Sequence, residues 1–285
     1  MKQIVVISGK GGTGKTVLTA AFASLAKSKV MADCDVDAAD LHLLLNPKVL
    51  KKSIFKSGST AVIDKNLCKD CGKCLEVCRF EAILPEFTVD PIACEGCAFC
   101  SFVCPHQAIR MEENISGEWY ISDTKYGSMV HAKLGIAEEN SGKLVTLVKQ
   151  TARDIAEEQN KEYVIIDGSP GIGCPVIASL ADADLALIVT EPTLSGMHDM
   201  KRVVDVAGHF NVKTAVVINK FDINLEVVQT IEKYCSEKGI AVMGKIPFDK
   251  KVVESVVERK PVVELEHNET IEEFVCIWEK VKASL

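Results

Sequence analysis

A doubly wound α/β fold with a mostly parallel sheet, interrupted by a small cysteine-rich α+β insertion, is what this sequence predicts. Three observations carry that prediction. Apolar, β-branched runs alternate with helix-length amphipathic segments over about residues 1–45 and again from about Gly142 to the C-terminus. The runs lack the polar alternation of half-exposed strands, as expected where helices cover both faces of a parallel sheet. Between the two halves this rhythm stops, and eight of the twelve cysteines fall within Gly58–Glu113. The expected division is 1–57 with 114–285 for the split α/β domain, and 58–113 for the insertion.

In chain order, Ile4–Ile7 reads as a buried strand, followed by a glycine-rich turn, an apolar helix over Val17–Lys27 and a second strand over Val30–Cys34. After the insertion, Trp119–Ile121 and Met129–Leu134 suggest a hairpin around Tyr126-Gly127. Strands follow over Tyr163–Asp167, Leu185–Thr190, Thr214–Asn219 and Ile240–Ile246. The last segment, Thr270–Lys282, places Ile271, Val275, Trp278 and Val281 at helical spacing and reads as a helix docked on the core.

Composition narrows the function. With 47% hydrophobic and 26% charged residues the chain is globular, and 33 Lys and Arg against 40 Asp and Glu give a net charge of -7. That balance disfavours nucleic acid and anionic membrane as partners. The longest run free of Asp, Glu, Lys and Arg, the 14 residues Gly168–Ala181, is broken by Gly and Pro. A bilayer span needs about 20 apolar residues. The expectation is a cytoplasmic protein, where thiols stay reduced and cysteine clusters serve metals or redox chemistry.

Residues Gly9, Lys10, Gly11, Gly12, Thr13, Gly14, Lys15 and Thr16 fit the phosphate loop G-x-x-x-x-G-K-[ST], set between strand and helix. Glycines let backbone N–H groups face phosphates, the helix N-terminus adds positive potential, Lys15 reaches the terminal phosphates and Thr16 ligates Mg2+.

The second lysine in K-G-G-T-G-K-T, Lys10, makes this domain resemble the deviant Walker A P-loop NTPases of the MinD/ParA and nitrogenase iron protein group. The resemblance covers about Met1–Leu45 and Gly142 onward. It implies a homodimer with ATP at the interface, Lys10 reaching the partner's phosphates, Asp35 near the attacking water and Mg2+, and Asp167 as the Walker B carboxylate. Asp37 competes with Asp35 for its role. Asn219 is the counterpart of an adenine-reading carboxamide, although Asn219-Lys220-Phe221-Asp222 also fits N-K-x-D, the guanine-reading pattern in which Asp222 would accept from the base. Lys10 and the Ser169-Pro170-Gly171 loop favour ATP over GTP.

The insertion repeats itself. Cys68, Cys71, Cys74, Cys78, Ala82 and Ile83 recur 26 residues later as Cys94, Cys97, Cys100, Cys104, Ala108 and Ile109. Two tandem C-x2-C-x2-C-x3-C runs are the bacterial ferredoxin pattern for two [4Fe-4S] clusters, in which the fourth cysteine of each run serves the other cluster. Cys68, Cys71, Cys74 and Cys104 are thus assigned to one cluster, and Cys94, Cys97, Cys100 and Cys78 to the other. Pro105 follows its cysteine as the pattern expects, whereas Arg79 stands where proline is usual. Structural zinc is the alternative, but its cysteine pairs are ordinarily set far apart. Of the other cysteines, Cys34, Cys235 and Cys276 read as buried apolar residues, while Cys174 lies seven residues after Asp167, where the iron protein group carries a bridging-cluster ligand.

Together these parts resemble MinD-superfamily ATPases containing an inserted ferredoxin domain. The leading expectation is an ATP-hydrolysing redox protein in which nucleotide state gates electron transfer to a partner. Alternatives are an ATP-dependent iron-sulfur or metal-cofactor assembly or carrier protein, and a ParA-like positioning switch.

Overall fold

The computed structural model describes residues 1–135 and 141–285. In chain order the elements are β1 (Lys2–Ser8), α1 (Lys15–Leu25), β2 (Lys29–Asp33), α2 (Leu41–Leu45), β3 (Lys48–Ile63), α3 (Lys73–Val77), α4 (Phe99–Val103), β4 (Ile109–Thr124) and β5 (Gly127–Leu134). Then come α5 (Ser141–Glu158), β6 (Tyr163–Pro170), α6 (Cys174–Leu180), β7 (Leu185–Thr190), α7 (Leu194–His209), β8 (Thr214–Asn219), α8 (Leu225–Glu237), β9 (Ala241–Ile246), α9 (Lys250–Val257) and α10 (Glu269–Ser284). The sheet order is β3-β4-β5-β2-β6-β1-β7-β8-β9. All registered pairs from β5 through β9 are parallel.

The chain divides into two compact units. The first comprises Met1–Ser53, Trp119–Lys133 and Ser141–Leu285, and the second Ile54–Glu118 with Leu134 and Gly135.

In the first unit, β1 sits between β6 and β7 with Ile4–Ile7 wholly buried. The chain moves from β1 toward β2 in one direction and toward β7 in the other. The end of β1 is therefore the switch point at which open α/β sheets bind ligands. One face is closed by α1 and α10, where Phe22 lies 5.0 Å from Trp278 ring to ring and Tyr163 meets Trp278 edge-on at 5.5 Å.

The last helix forms as expected, but its buried stripe is Ile271, Phe274, Ile277, Trp278 and Val281. Val275 is exposed, contrary to the sequence reading, because Phe274 and Ile277 supply the i, i+3, i+7 contacts that the sheet accepts. Cys276 is exposed for the same reason, which corrects its expected burial.

The hairpin expected near Tyr126 is longer than Trp119–Leu134. Two linking residues join β4 to β5, with Thr124 Oγ1 donating to the Gly127 carbonyl and accepting from the Tyr126 N–H. Sequence gave no sign of β3, whose first five residues are all exposed, so no apolar period of two marks it. Among the described residues no helix is long and apolar enough to cross a membrane.

In the second unit the 26-residue repeat is also a repeat of backbone bonds. Cys68 N–H bonds the Asp64 carbonyl and Cys94 N–H the Asp90 carbonyl; Glu81 N–H bonds the Cys78 carbonyl and Gln107 N–H that of Cys104. The halves also bond each other reciprocally, Asp64 N–H to the Ala108 carbonyl and Asp90 N–H to the Ala82 carbonyl. Both copies turn through positive φ at the same places, Asp70 and Gly96, then Gly72 and Ala98.

Two stability predictions follow from the first unit. Trp278→Ala is expected to cost about 3–5 kcal/mol in chemical denaturation, since two aromatic partners lose their packing. His131 on β5 stacks on Tyr120 at 4.9 Å and on His42 at 6.4 Å, and burial, aided by nearby His42, pushes its imidazole down to about 4. The unfolded chain then takes up this proton first, so its contribution to stability is complete above about pH 6.5 and is lost as pH falls toward 4. Denaturation midpoints across that range should fall less steeply in His131→Gln.

Candidate functional site

The ends of four parallel strands bring the nucleotide residues together. The loop Gly9–Gly14 leaves β1 and enters α1 at Lys15. Gly14 holds φ 94°, and a Cβ there would stand 2.3 Å from Asn219 Nδ2, so only glycine lets the loop turn against β8. Gly9 is just as constrained, because a Cβ would meet the Asp199 backbone at 2.6 Å. A cavity of about 560 Å³ opens over the loop, lined by Gly11, Gly12, Thr13, Gly14, Lys15 and Thr16 together with Asp35, Asn219 and Lys220. Leu43 and Leu44 of α2 and Val252, Val253 and Val256 of α9 supply apolar wall. That volume and mixed lining suit a nucleotide.

Lys15 is 6% exposed, and its Nζ stands 3.1 Å from Asp167 Oδ1 and 3.2 Å from Asp35 Oδ2. Burial disfavours its charge, but Asp167, Asp35 and Asp33 outweigh burial and hold its pKa above the usual lysine range. Burial raises the Asp35 carboxyl against the pull of Lys15. Thr16 Oγ1 donates to Asp167 Oδ2 at 2.8 Å, and Thr19 Oγ1 to Asp167 Oδ1 at 2.9 Å. A hydroxyl and two carboxylates around one ammonium suit Mg2+ beside a triphosphate, with Thr16 as the protein ligand. Phosphate oxygens would take over the ammonium's charge from the carboxylates.

Between the rival aspartates, Asp35 lies beside Lys15 whereas Asp37 is exposed. Sequence reading passed over Asp33, which is fully buried. Its Oδ1 accepts from Asp35 N–H at 3.2 Å and its Oδ2 from Leu41 N–H at 3.3 Å, so it pins both ends of the loop bearing Asp35. Burial, then the Asp167 charge, raises its carboxyl well above the usual range.

Lys10 contacts Glu191, a residue singled out by no motif. Its Nζ is 2.5 Å from Glu191 Oε1, while Lys220 Nζ is 3.2 Å from Oε2. Burial alone would raise this carboxyl; the two lysines hold it below the ordinary range. The only local signal was position, one residue past the end of β7.

Asn219 Nδ2 donates to the Thr13 carbonyl at 2.7 Å and its Oδ1 accepts from Lys220 N–H, so its carboxamide ties β8 to the phosphate loop. Asp222 Oδ1 accepts from Phe248 N–H at 2.7 Å, fastening the turn Phe221–Ile223 to the segment after β9.

The twelve cysteines are all free. In the second unit one cavity is lined by Cys68, Cys71, Cys74 and Cys104, and another by Cys78, Cys94, Cys97 and Cys100. Cys74 on α3 and Cys100 on α4 share an apolar core with Ala61, Ile83 and Ile109. Among the described residues, no three His, Cys, Asp or Glu side chains converge as ligands of a single ion. Four cysteines lining one cavity are, by residue type and number, the donor set that a cubane cluster takes. Of the remaining cysteines, Cys34 and Cys235 are buried, burial pushing the Cys235 thiol up to about 11, while Cys174 is exposed at the first turn of α6.

Lys15→Ala should abolish nucleotide binding in calorimetry, since three carboxylates are left without their cation, and circular dichroism distinguishes this from unfolding. Removing one partner of a buried charge group costs about 3–5 kcal/mol, so some thermal destabilisation is expected alongside.

Comparison with known proteins agrees with this geometry. The model of the CobQ/CobB/MinD/ParA nucleotide binding domain matches residues 4–262. An uncharacterised protein of Methanocaldococcus jannaschii is 38% identical over 78% of this chain and 79% of its own length. The septum site-determining protein MinD of Synechocystis is 26% identical over 91% of this chain and 81% of its own. The cell division ATPase MinD of Pyrococcus furiosus shares the fold with a TM-score of 0.60 at 18% identity, covering 100% of this chain and 99% of that one. This chain therefore belongs to the CobQ/CobB/MinD/ParA nucleotide-binding family.

Proposed function

We propose that this protein is an ATP-hydrolysing switch whose nucleotide state gates electron transfer, through two [4Fe-4S] clusters in its second unit, to a partner protein. The observation that carries the reading is the division of eight cysteines between two cavities as Cys68, Cys71, Cys74, Cys104 and Cys78, Cys94, Cys97, Cys100. Neither set is contiguous in sequence. Each draws three cysteines from one run and one from the other, which is the exchange that two-cluster ferredoxin motifs make.

On the nucleotide side, the chain's residues divide the work of hydrolysis. Backbone N–H groups of Gly11–Lys15 and the start of α1 would cradle the phosphates. Lys15 neutralises the terminal phosphates, and Thr16 with Asp167 would hold Mg2+, which supplies charge stabilisation at the transferring phosphoryl group. Asp35 is the residue to orient water. Lys10, by likeness to the MinD/ParA group, acts across a homodimer, and for that it must exchange Glu191 for the partner's phosphates. Asn219 and Lys220 stand at the base end, and adenine is the favoured base. The clusters would supply one-electron chemistry at low potential; the cysteines hold them, and the shared core of Cys74 and Cys100 keeps the two cavities in one packed unit.

The comparisons favour a second reading, a ParA-like positioning switch, because relatives matching across most of the chain include septum site-determining proteins. The cysteine unit has no part in that reading. A third, the assembly or carrier protein, would treat the clusters as cargo, and would release iron and sulfide readily to a chelator.

Anaerobically isolated protein should contain about eight irons and about eight acid-labile sulfides per chain. Two zinc ions and no broad absorption near 400 nm would sink the cluster assignment. Lys10→Ala should keep nucleotide binding in calorimetry and lose Mg2+-dependent hydrolysis. Redox titrations with ADP, with a nonhydrolysable ATP analogue and without nucleotide test the gating. A shift of ~30 mV for one electron corresponds to about threefold in nucleotide affinity, by reciprocity. Superimposable curves would leave two independent modules on one chain.

A further inference from the structure

The two cysteine cavities are built on one repeated backbone, so differences between them isolate what side chains contribute. Three such differences occur at positions 26 residues apart, and on balance they act in the same direction.

The first is charge. Lys69 lines the first cavity where Glu95 lines the second, and Lys73 lines the first where Phe99 lines the second. Asp70, whose Oδ1 accepts from Cys68 Sγ at 3.4 Å, offsets part of this and itself lines neither cavity. By lining residues the first cavity carries +2 (Lys69, Lys73) and the second -1 (Glu95); with Asp70 and Arg79, which stand next to ligand cysteines, the balances are +1 and 0. Arg79, beside Cys78, also lines neither cavity.

The second is hydrogen bonding to sulfur. Ala108 N–H donates to Cys104 Sγ at 3.4 Å in the first cavity, and among the described residues the equivalent Ala82 N–H makes no such bond to Cys78. The third is polarity. Two phenylalanine side chains, Phe80 and Phe99, line the second cavity, with Phe99 stacked on Phe102 at 6.4 Å between centroids, against one, Phe87, in the first, where the second has Ala61 at the equivalent position. The counterparts of Phe80 and Phe99 at the first cavity are His106 and Lys73.

Reducing a [4Fe-4S] cluster adds one negative charge at constant ligation. Nearby cations and N–H donors to sulfur favour the added electron, while a neighbouring carboxylate and an aromatic cover oppose it. We infer that the clusters are not equivalent: the one held by Cys68, Cys71, Cys74 and Cys104 is the easier to reduce, so an electron reaching the other cluster passes to it. This inference rests on the reading that the cavities hold clusters. The step transfers one electron, oxidises the cluster of Cys78, Cys94, Cys97 and Cys100, reduces the other, and makes or breaks no bond.

Lys69, Lys73 and Glu95 are exposed, so solvent screens them and the bias is moderate. The expected ratio of the two reduction constants is about tenfold or more, which for one electron is about 59 mV.

The test is a reductive titration of the anaerobically purified full chain, followed by electron paramagnetic resonance, after iron and sulfide analysis. Two one-electron midpoints are expected. Lys69→Gln with Lys73→Gln should lower the higher midpoint and leave the lower in place; Glu95→Gln should raise the lower. Cys71→Ser should remove the higher component and Cys97→Ser the lower. Because a ligand variant can also unfold the unit, the lysine and glutamate variants carry the assignment. About eight irons per chain with one shared midpoint, or charge variants that move the opposite component, would overturn this inference and spare the cluster reading. A chain without iron and sulfide would overturn both.

Discussion

The nucleotide unit is organised around one buried cation. Lys15 keeps its charge at 6% exposure because Asp35 and Asp167 lie within hydrogen-bonding distance and Asp33 adds its field. Desolvating an ammonium this far is costly unless paired, so the position of those carboxylates is a requirement of folding as much as of chemistry. The sheet order meets it: Asp33 and Asp167 are register partners on adjacent strands β2 and β6, and β1 beside them delivers the loop that carries Lys15. Thr16 and Thr19, one helical turn apart, then complete the hydrogen bonds of Asp167 from α1.

The same arrangement sets up a competition. Carboxylates that stabilise Lys15 in the folded chain are also the groups that would hold Mg2+ and water beside a bound triphosphate. A bound phosphate would therefore exchange partners with a lysine already satisfied, and the exchange would reach Asp35 and, through Asp33, the segment up to Leu41. Lys10 is likewise paired, with Glu191, which also holds Lys220 beside Asn219. Substituting phosphate for carboxylate at two lysines would be a local electrostatic event of the kind that biases a switch.

What was legible in the sequence was local or repeated. The phosphate loop, the buried strands and the double cysteine run each carry their chemistry at fixed spacing, and the residues of each fall together in the fold. Long-range partners were illegible: Glu191 sits in no motif, and its role depends on lysines 181 and 29 residues away meeting at one edge. The docked helix was found but rotated, since helical spacing admits Val275 or Phe274 and only packing against β9 and α1 chooses between them. The strand β3 was missed because its first half lies exposed at the sheet edge, where no buried apolar face is written into sequence.

The cysteine unit illustrates how duplication separates backbone from side-chain function. Both copies keep the turns at positive φ and the reciprocal bonds between Asp64 and Ala108 and between Asp90 and Ala82, because those bonds place the cysteines. Side chains on the cavity walls are free of that constraint. Lysine against glutamate and lysine against phenylalanine leave the frame intact while changing the field at its two centres. A symmetrical frame with unequal walls can hold two like cofactors and still give electrons a direction.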